Sequence, residues 1–258
     1  MVRVVAIIPH PDDETYGFGG TLALAARAGW DCHVVALTSG EGGERHDAPL
    51  SGPAVLRDLR ESELAASCQL LGCHPPRLLR FPDGRLAEAQ EAARAALEEA
   101  LSTLRPDLVF ALGPDGAYGH PDHLAAWRLA SSIWQAADRP YVLLFPAFPP
   151  GLFRPQYEKC LAVGVMGDRP AVSPADLGVA SPHYRVPIAG AAAQRKIEAI
   201  AAHRSQLPAG DPRALFPPGI VDALLDEERF ADASGHRSEE VARLLATLPA
   251  AEETFLGL

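Results

Sequence analysis

The run Arg3-Val4-Val5-Ala6-Ile7-Ile8-Pro9-His10-Pro11-Asp12-Asp13-Glu14 decides the fold. Its first six residues are mostly β-branched and apolar, and Pro9 bounds them. A run that short is a strand rather than a helix, so a strand is predicted over Arg3 to Ile8. Directly after it come an imidazole and three carboxylates. In open α/β sheets ligands sit outside the carboxyl ends of the strands, and this is where that cluster lies.

Working outward, the chain alternates helical patterns with short apolar runs. Helices are predicted over Gly20 to Ala28, Pro53 to Leu71, Leu86 to Leu104 and Leu124 to Ala137. Strands are predicted over Cys32 to Thr38, Arg77 to Phe81, Leu108 to Leu112 and Tyr141 to Phe145. Strands that alternate with helices pair in parallel, because each parallel connection needs a crossover that normally carries a helix. The fold class that follows is α/β, a Rossmann-like and mostly parallel sheet with helices on both faces.

Beyond Pro146 the alternation weakens. Prolines stand at 146, 149, 150, 155, 170, 174, 182 and 187, and proline cannot donate to a central ladder. The C-terminal half therefore reads as proline-rich and irregular, with one more strand over Cys160 to Val165, a helix over Ala191 to Ala202 and a loop over Pro208 to Pro218. Residues 1–258 read as a single domain, with a core over 1–145 and substrate-loop and C-terminal elements over 146–258.

A chain of 258 residues, 48% of them hydrophobic, can bury a large core. Its net charge of −10 argues against a nucleic-acid partner, which would need a basic patch to replace phosphate counterions. No stretch approaches the roughly 20 apolar residues that span a bilayer, and Val4 to Ile8 is too short and too early for a signal-peptide core. The expectation is a cytoplasmic protein with no membrane partner, for which a homo-oligomer is compatible. Cys32, Cys68, Cys73 and Cys160 lack any C-x-x-C spacing and read as buried free thiols.

Imidazole nitrogen and carboxylate oxygen are both good zinc ligands, and His10 and Asp13 lie close enough in a turn to reach one ion. A further ligand comes from His120-Pro121-Asp122-His123, which follows the strand predicted over Leu108 to Leu112 and opens onto the same sheet edge. Proline beside an acid is also how ordinary helices begin. Capping explains the prolines and carboxylates but not three histidines at two strand ends. Spacing leaves open whether His120 or His123 binds the metal.

The His-Pro-Asp-Asp-Glu segment after the first strand and the later Tyr118-Gly119-His120-Pro121-Asp122-His123 resemble the LmbE-like (PIG-L) family of zinc-dependent N-acetylglucosaminyl deacetylases. Gly19-Gly20-Thr21-Leu22, Thr38-Ser39-Gly40-Glu41, Arg60-x-x-Glu63 leading to Leu71-Gly72, Phe81-Pro82-Asp83-Gly84 and His203-Arg204-Ser205-Gln206 extend the resemblance. It covers residues 1–145 and returns near 195–206.

The resemblance implies that His10, Asp13 and His123 bind zinc, that Asp12 is the general base, and that His120 and Tyr118 assist at the reacting carbonyl. Three protein ligands leave zinc an open position for a water, whose pKa falls to about 7. Asp122 is placed to keep His120 protonated and oriented. Arg60, Glu41 and Asp83, near strand ends or on the second helix, are the candidate substrate contacts. Two histidines and a carboxylate also suit Fe2+.

The implied activity is hydrolysis of the N-acetyl amide of a small amino-sugar conjugate, N-acetylglucosaminyl and soluble. An amidase acting on a thiol conjugate and a zinc-containing carbohydrate-binding module without turnover are the alternatives. A dinucleotide-binding turn at Gly17-x-Gly19-Gly20 fails on spacing, and the acids beside it would repel a pyrophosphate. His33, His46, His74, His183 and His236 have no comparable setting.

Overall fold

The computed structural model describes residues 1–46 and 52–250, so the last residues of the expected C-terminal span, 251–258, lie outside it. Its strands are β1 (Arg3–Ile8), β2 (Asp31–Thr38), β3 (Arg77–Phe81), β4 (Leu108–Phe110), β5 (Val142–Pro146), β6 (Tyr184–Pro187) and β7 (Glu227–Asp232). Its helices are α1 (Asp13–Arg27), α2 (Pro53–Leu71), α3 (Gln90–Leu104), the kinked α4 (Gly116–Gly119), α5 (Pro121–Ala136), α6 (Arg154–Ala162), α7 (Ala191–Ala202) and α8 (Glu239–Leu245).

All seven strands form one sheet in the order β3-β2-β1-β4-β5-β7-β6. The first five are parallel, while β7 runs antiparallel to both β5 and β6. Parallel interior strands must be apolar on both faces. From Val4 to Ile8, β1 is fully buried, and alternate residues enter opposite cores. Val4, Ala6 and Ile8 pack under α1, α2 and α7, and Val5 and Ile7 pack under α3 and α5.

Three expectations need correction. Helix α1 begins at Asp13, not at Gly20. Gly17 and Gly20 look like breakers, but each lies where another element presses on the helix. A Cβ on Gly20 would stand 2.7 Å from Ile188, and one on Gly17 would stand 3.1 Å from Pro146. The glycines serve close packing, which outweighs their backbone entropy. Cys160 belongs to α6, not to a strand: Pro155 sits in the first turn of that helix, where its missing N–H costs nothing. The short apolar run that follows could not be assigned by periodicity.

The C-terminal half also closes the sheet, through β6 and β7. β7, where the sequence predicted no strand, opens with the charges Glu227, Glu228 and Arg229. Glu228 is nevertheless buried, accepting from Gly20 N, Thr21 N and Lys196 Nζ, so a core ion pair replaces an apolar contact. Edge strand β6 ends in Pro187, as proline's missing donor requires. A third apolar cluster, containing Tyr16, Tyr118, Phe148, Phe153 and Phe216, lies above the carboxyl end of the sheet.

Candidate metal centre

The sheet order reverses direction at β1 and β4, which are hydrogen-bonded neighbours although a hundred residues separate them. At such a switch point the connections leave in opposite directions and open a crevice. The segment after β1 (Pro9–Asp12) and the segment after β4, ending in the first turn of α5, both empty into it. This convergence is what the sequence predicted for the two His-Pro-Asp segments.

Asp13 sits at the centre. Its Oδ2 accepts from His10 N at 2.8 Å and lies 3.3 Å from His10 Nδ1, while its Oδ1 accepts from Tyr16 Oη at 2.7 Å and lies 3.4 Å from His123 Nε2. The His10, His120 and His123 rings have centroids 4.7 to 5.2 Å apart. One ligand atom from each lies within 4.8 Å of the others. His123 Nδ1 is 3.0 Å from Gly116 O. If Nδ1 donates to that carbonyl, Nε2 keeps its lone pair toward Asp13, the usual arrangement of a metal-binding histidine.

Burial dominates the electrostatics. It lowers the His123 pKa to about 4 despite Asp13, and it holds His120 well below the usual histidine range with help from the charges of His123 and His10. Burial opposes protonation of His10 too, but Asp83, Asp122 and Asp13 outweigh it and raise that group. Asp13 is the reverse: burial raises it, and His123 and His10 carry it well below the carboxylate range. His120 and His123 are thus neutral beside an ionised Asp13, and His10 would release its proton to a bound ion, as metal binding to imidazole does. The residues present fit such an ion.

Asp12 precedes α1 with a φ of 116°, a left-handed backbone that a residue with a Cβ rarely adopts. Its N–H donates to Glu14 Oε2 and its carbonyl accepts from Thr15 Oγ1. Its carboxylate receives Arg60 Nη2 at 3.0 Å. Burial raises the Asp12 pKa to about 7, with Arg60 opposing and Asp13 reinforcing the shift.

Arg60, expected as a substrate contact, is itself buried and spans Gly40 O, Pro11 O and Asp12. Gly40 is required there, since its φ is +69° and a Cβ would stand 2.3 Å from the guanidinium. Asp83 accepts from Gly42 N and stands 3.0 Å from His10 Nε2. Glu41 holds the loop by accepting from Asp83 N, and it does not line the cavity over the site.

The structure corrects the reading of Asp122. Its carboxylate accepts from Gly84 N and Leu86 N and lies 3.4 Å from His10 Nε2. Only its backbone N–H reaches His120, donating to Nδ1. Asp122 thus ties the β3–α3 connection to the site, and His120 is neutral rather than protonated. Its Nε2 is then the ring nitrogen that carries a proton.

Sequence reasoning missed the buried support. Glu14 Oε1 accepts from Ser67 Oγ and pairs with His203 Nε2, both at 2.6 Å, and Glu63 accepts from Ser205 N and Oγ. These contacts fasten α2 and the end of α7 to the site. The charged triplet ending in Glu14 and the His203–Gln206 segment were the available signals. Over the centre lies a cavity of about 450 Å³ reached by His10, Asp12, Asp83, Tyr118 and His120. Its mouth includes Gln156, Lys159, Val163, Val165 and Phe216, none of which the sequence marked.

These features define an α/β protein of Rossmann-like topology with a buried histidine–carboxylate centre at the switch point. Residues 5–134 match the PIG-L family, described as GlcNAc-PI de-N-acetylase. The chain belongs to the PIG-L family. It is 36% identical over 157 residues to 1D-myo-inositol 2-acetamido-2-deoxy-alpha-D-glucopyranoside deacetylase of Rhodococcus opacus strain B4, covering 52% of this chain and 54% of that protein. The chain spans about half the length of the curated relatives it matches.

Among solved structures, it resembles the conserved protein TT1542 of Thermus thermophilus, with a TM-score of 0.61 and 29% identity over 90% of this chain and 94% of that one. It also resembles the N,N'-diacetylchitobiose deacetylase of Pyrococcus horikoshii, with a TM-score of 0.59 and 25% identity over 89% and 83%.

Proposed function

We propose that this protein is a metal-dependent N-deacetylase that hydrolyses the acetamide of a small N-acetylglucosaminyl conjugate to acetate and a free amine. The observation that carries this reading is Asp12, a carboxylate held in a strained backbone beside the His10–Asp13–His123 cluster and facing the cavity. Ion binding alone needs ligands; a strained acid next to them is what a proton-transfer step needs.

His10, Asp13 and His123 would hold the ion, zinc first and Fe2+ second by donor type. When bound, it supplies Lewis acidity to the amide carbonyl and to water. Asp12 takes a proton from the attacking water and returns it to the departing nitrogen; a pKa near 7 suits both directions. His120 Nε2–H and the Tyr118 hydroxyl serve as donors where negative charge develops on the carbonyl oxygen. Burial, followed by the Asp13 charge, raises Tyr118 well above the usual tyrosine range, so its hydroxyl keeps its proton.

A cavity of about 450 Å³ suits a sugar with a modest aglycone. Asp83 is the best placed group for a sugar hydroxyl, while Arg60 and Glu41 act by holding Asp12 and the Asp83 loop. The whole chain acts as one domain, with the elements after residue 146 supplying the cavity mouth. Its four cysteines are unpaired, which fits a reducing compartment such as the cytoplasm. No helix among the described residues is long and apolar enough to cross a membrane.

The test is an amine-release assay over N-acetylglucosaminyl conjugates that differ in aglycone, with the metal stripped and then restored. Release that depends on the ion supports the reading. No amide cleavage with metal restored would overturn it in favour of a binding module.

A further inference from the structure

A second cluster of ligating side chains lies at the opposite end of the sheet, among histidines to which the sequence attached no role. Asp31 and His33 are two apart on β2 and so project from the same face, while Cys32 between them enters the core. His74 follows the C-terminus of α2, where Gly72 in the left-handed conformation and the bond from Cys73 N to Cys68 O turn the chain. His74 N then donates to Cys32 O at 2.9 Å, which locks the turn against β2.

The side chains converge on one oxygen. His74 Nε2 is 2.8 Å and His33 Nε2 is 3.0 Å from Asp31 Oδ1, and the two rings stack at 4.4 Å with an interplanar angle of 10°. His74 Nε2 makes an aligned hydrogen bond to that oxygen, while His33 Nε2, shut off from solvent at 3.0 Å from it, is poorly aligned for one. A misaligned contact to an oxygen that already accepts from His74 gains little of a full hydrogen bond. The other carboxylate oxygen, Oδ2, is occupied by Arg3 Nε at 2.6 Å, which fixes the orientation of Oδ1. The three ligand atoms lie within 4.8 Å of one another.

We propose that Asp31, His33 and His74 form a second site for a divalent cation of the imidazole-preferring kind, zinc or nickel rather than magnesium or calcium, with a structural role. Two imidazoles and one carboxylate oxygen are the donor set such ions select. An ion there takes up the poorly aligned His33 Nε2 and replaces the His74–Asp31 hydrogen bond. It joins β2 to the α2–β3 connection and, through Arg3, to β1. The eight residues of β2 separate it from the other centre by roughly 20 Å at the rise of an extended strand. His74 is 57% exposed, so the ion has an entry path and positions left for water.

The experiment is equilibrium dialysis of the metal-stripped full-length protein against Zn2+ alone, with metal content measured by elemental analysis. His74→Ala and His33→Asn are each expected to bind one equivalent less than the wild type, to lose part of the zinc-induced rise in melting temperature, and to keep full amine-release activity. Equal zinc uptake by the wild type and both variants overturns the proposal. So does a loss of turnover in His74→Ala, because the two centres would then not be separate. Failure of the deacetylase reading would appear in the amine assay and leave this stoichiometry unchanged.

Discussion

Arg60 Nη2 lies 3.0 Å from Asp12 Oδ2, and the same guanidinium holds the carbonyls of Pro11 and Gly40 on either side. One buried cation thereby helps to set both the position and the acidity of the carboxylate that precedes Asp13. A base must be ionised to accept a proton. Activity is therefore predicted to fall as the pH drops through about 7, the value to which burial raises Asp12 against the pull of Arg60. Arg60→Met removes the group that lowers this pKa, so the acidic limb of the kcat/KM profile moves to higher pH. A shift of about one unit corresponds to about tenfold at the acid side. A limb that stays in place would remove Arg60 from this role.

Asp12→Gly separates strain from chemistry. Asp12→Gly and Asp12→Ala both remove the carboxylate that faces Arg60, but only glycine accepts a φ of 116° freely, so thermal unfolding should find the glycine variant more stable than the alanine variant by about 1 kcal/mol. Amine release should fall by about 100-fold or more, the typical contribution of a positioned general base, while the metal content stays at the wild-type level. A glycine variant no more stable than the alanine variant would mean that the backbone at Asp12 carries no strain.

His123→Ala should lose both activity and the metal held with His10 and Asp13. Its ring is fully buried, with Nδ1 against Gly116 O and Nε2 facing Asp13. Removing metal from the wild type with a chelator should reproduce the loss of turnover, and added Zn2+ should restore it in the wild type but not in the variant. Retention of the full metal content by His123→Ala refutes the ligand assignment.

His203 and Glu14 are both fully buried and pair at 2.6 Å. Burial disfavours the His203 cation, but Glu14 outweighs it and raises the pKa. A histidine raised in the folded state contributes its full stabilisation below the unfolded value near about 6.5 and loses it as the pH rises through the folded value. Wild-type stability measured by urea unfolding should therefore decline on the alkaline side of neutrality, and His203→Gln should flatten that decline. His203→Ala leaves Glu14 uncompensated and should cost about 3–5 kcal/mol.

Gly40→Ala tests the glycine through the arginine it touches. The Cβ meets the guanidinium at 2.3 Å and adopts an unfavourable φ, so a cost of about 1–3 kcal/mol is expected. The displaced Arg60 should move the acidic limb of the kcat/KM profile in the same direction as Arg60→Met. Loss of stability with an unmoved limb would show that Gly40 shapes only the loop.

Much of this was legible because it depended on local pattern. The run Val4 to Ile8, apolar on both faces, can only be an interior parallel strand, and helices over Pro53–Leu71 and Ala191–Ala202 follow from composition and breakers. Two histidine-bearing segments after β1 and β4 were readable as convergent because parallel strands share a carboxyl edge. Other features were set by distant partners. Gly20 reads as a breaker until Ile188 is seen against it, and Glu228 reads as a surface acid until Lys196 is found beside it. Asp122 was assigned to His120 by proximity in sequence, but it turns instead to backbone N–H groups of a loop nearly forty residues earlier. The pairing of His33 with His74 depends on a helix cap, which spacing cannot show.

The adjacency of β1 and β4 has a consequence for how such a protein diversifies. The groups around the metal cluster hang from two strands in the middle of the sheet, whereas the cavity mouth is built by α6 and the turns near Phe216, which are attached farther along the chain. Rim and centre thus come from separate stretches of chain, joined where Phe216 packs on Tyr16, the residue that donates to Asp13. Exchanges at Lys159, Val163 and Val165 change the mouth of the cavity at positions that make none of the contacts around Asp13.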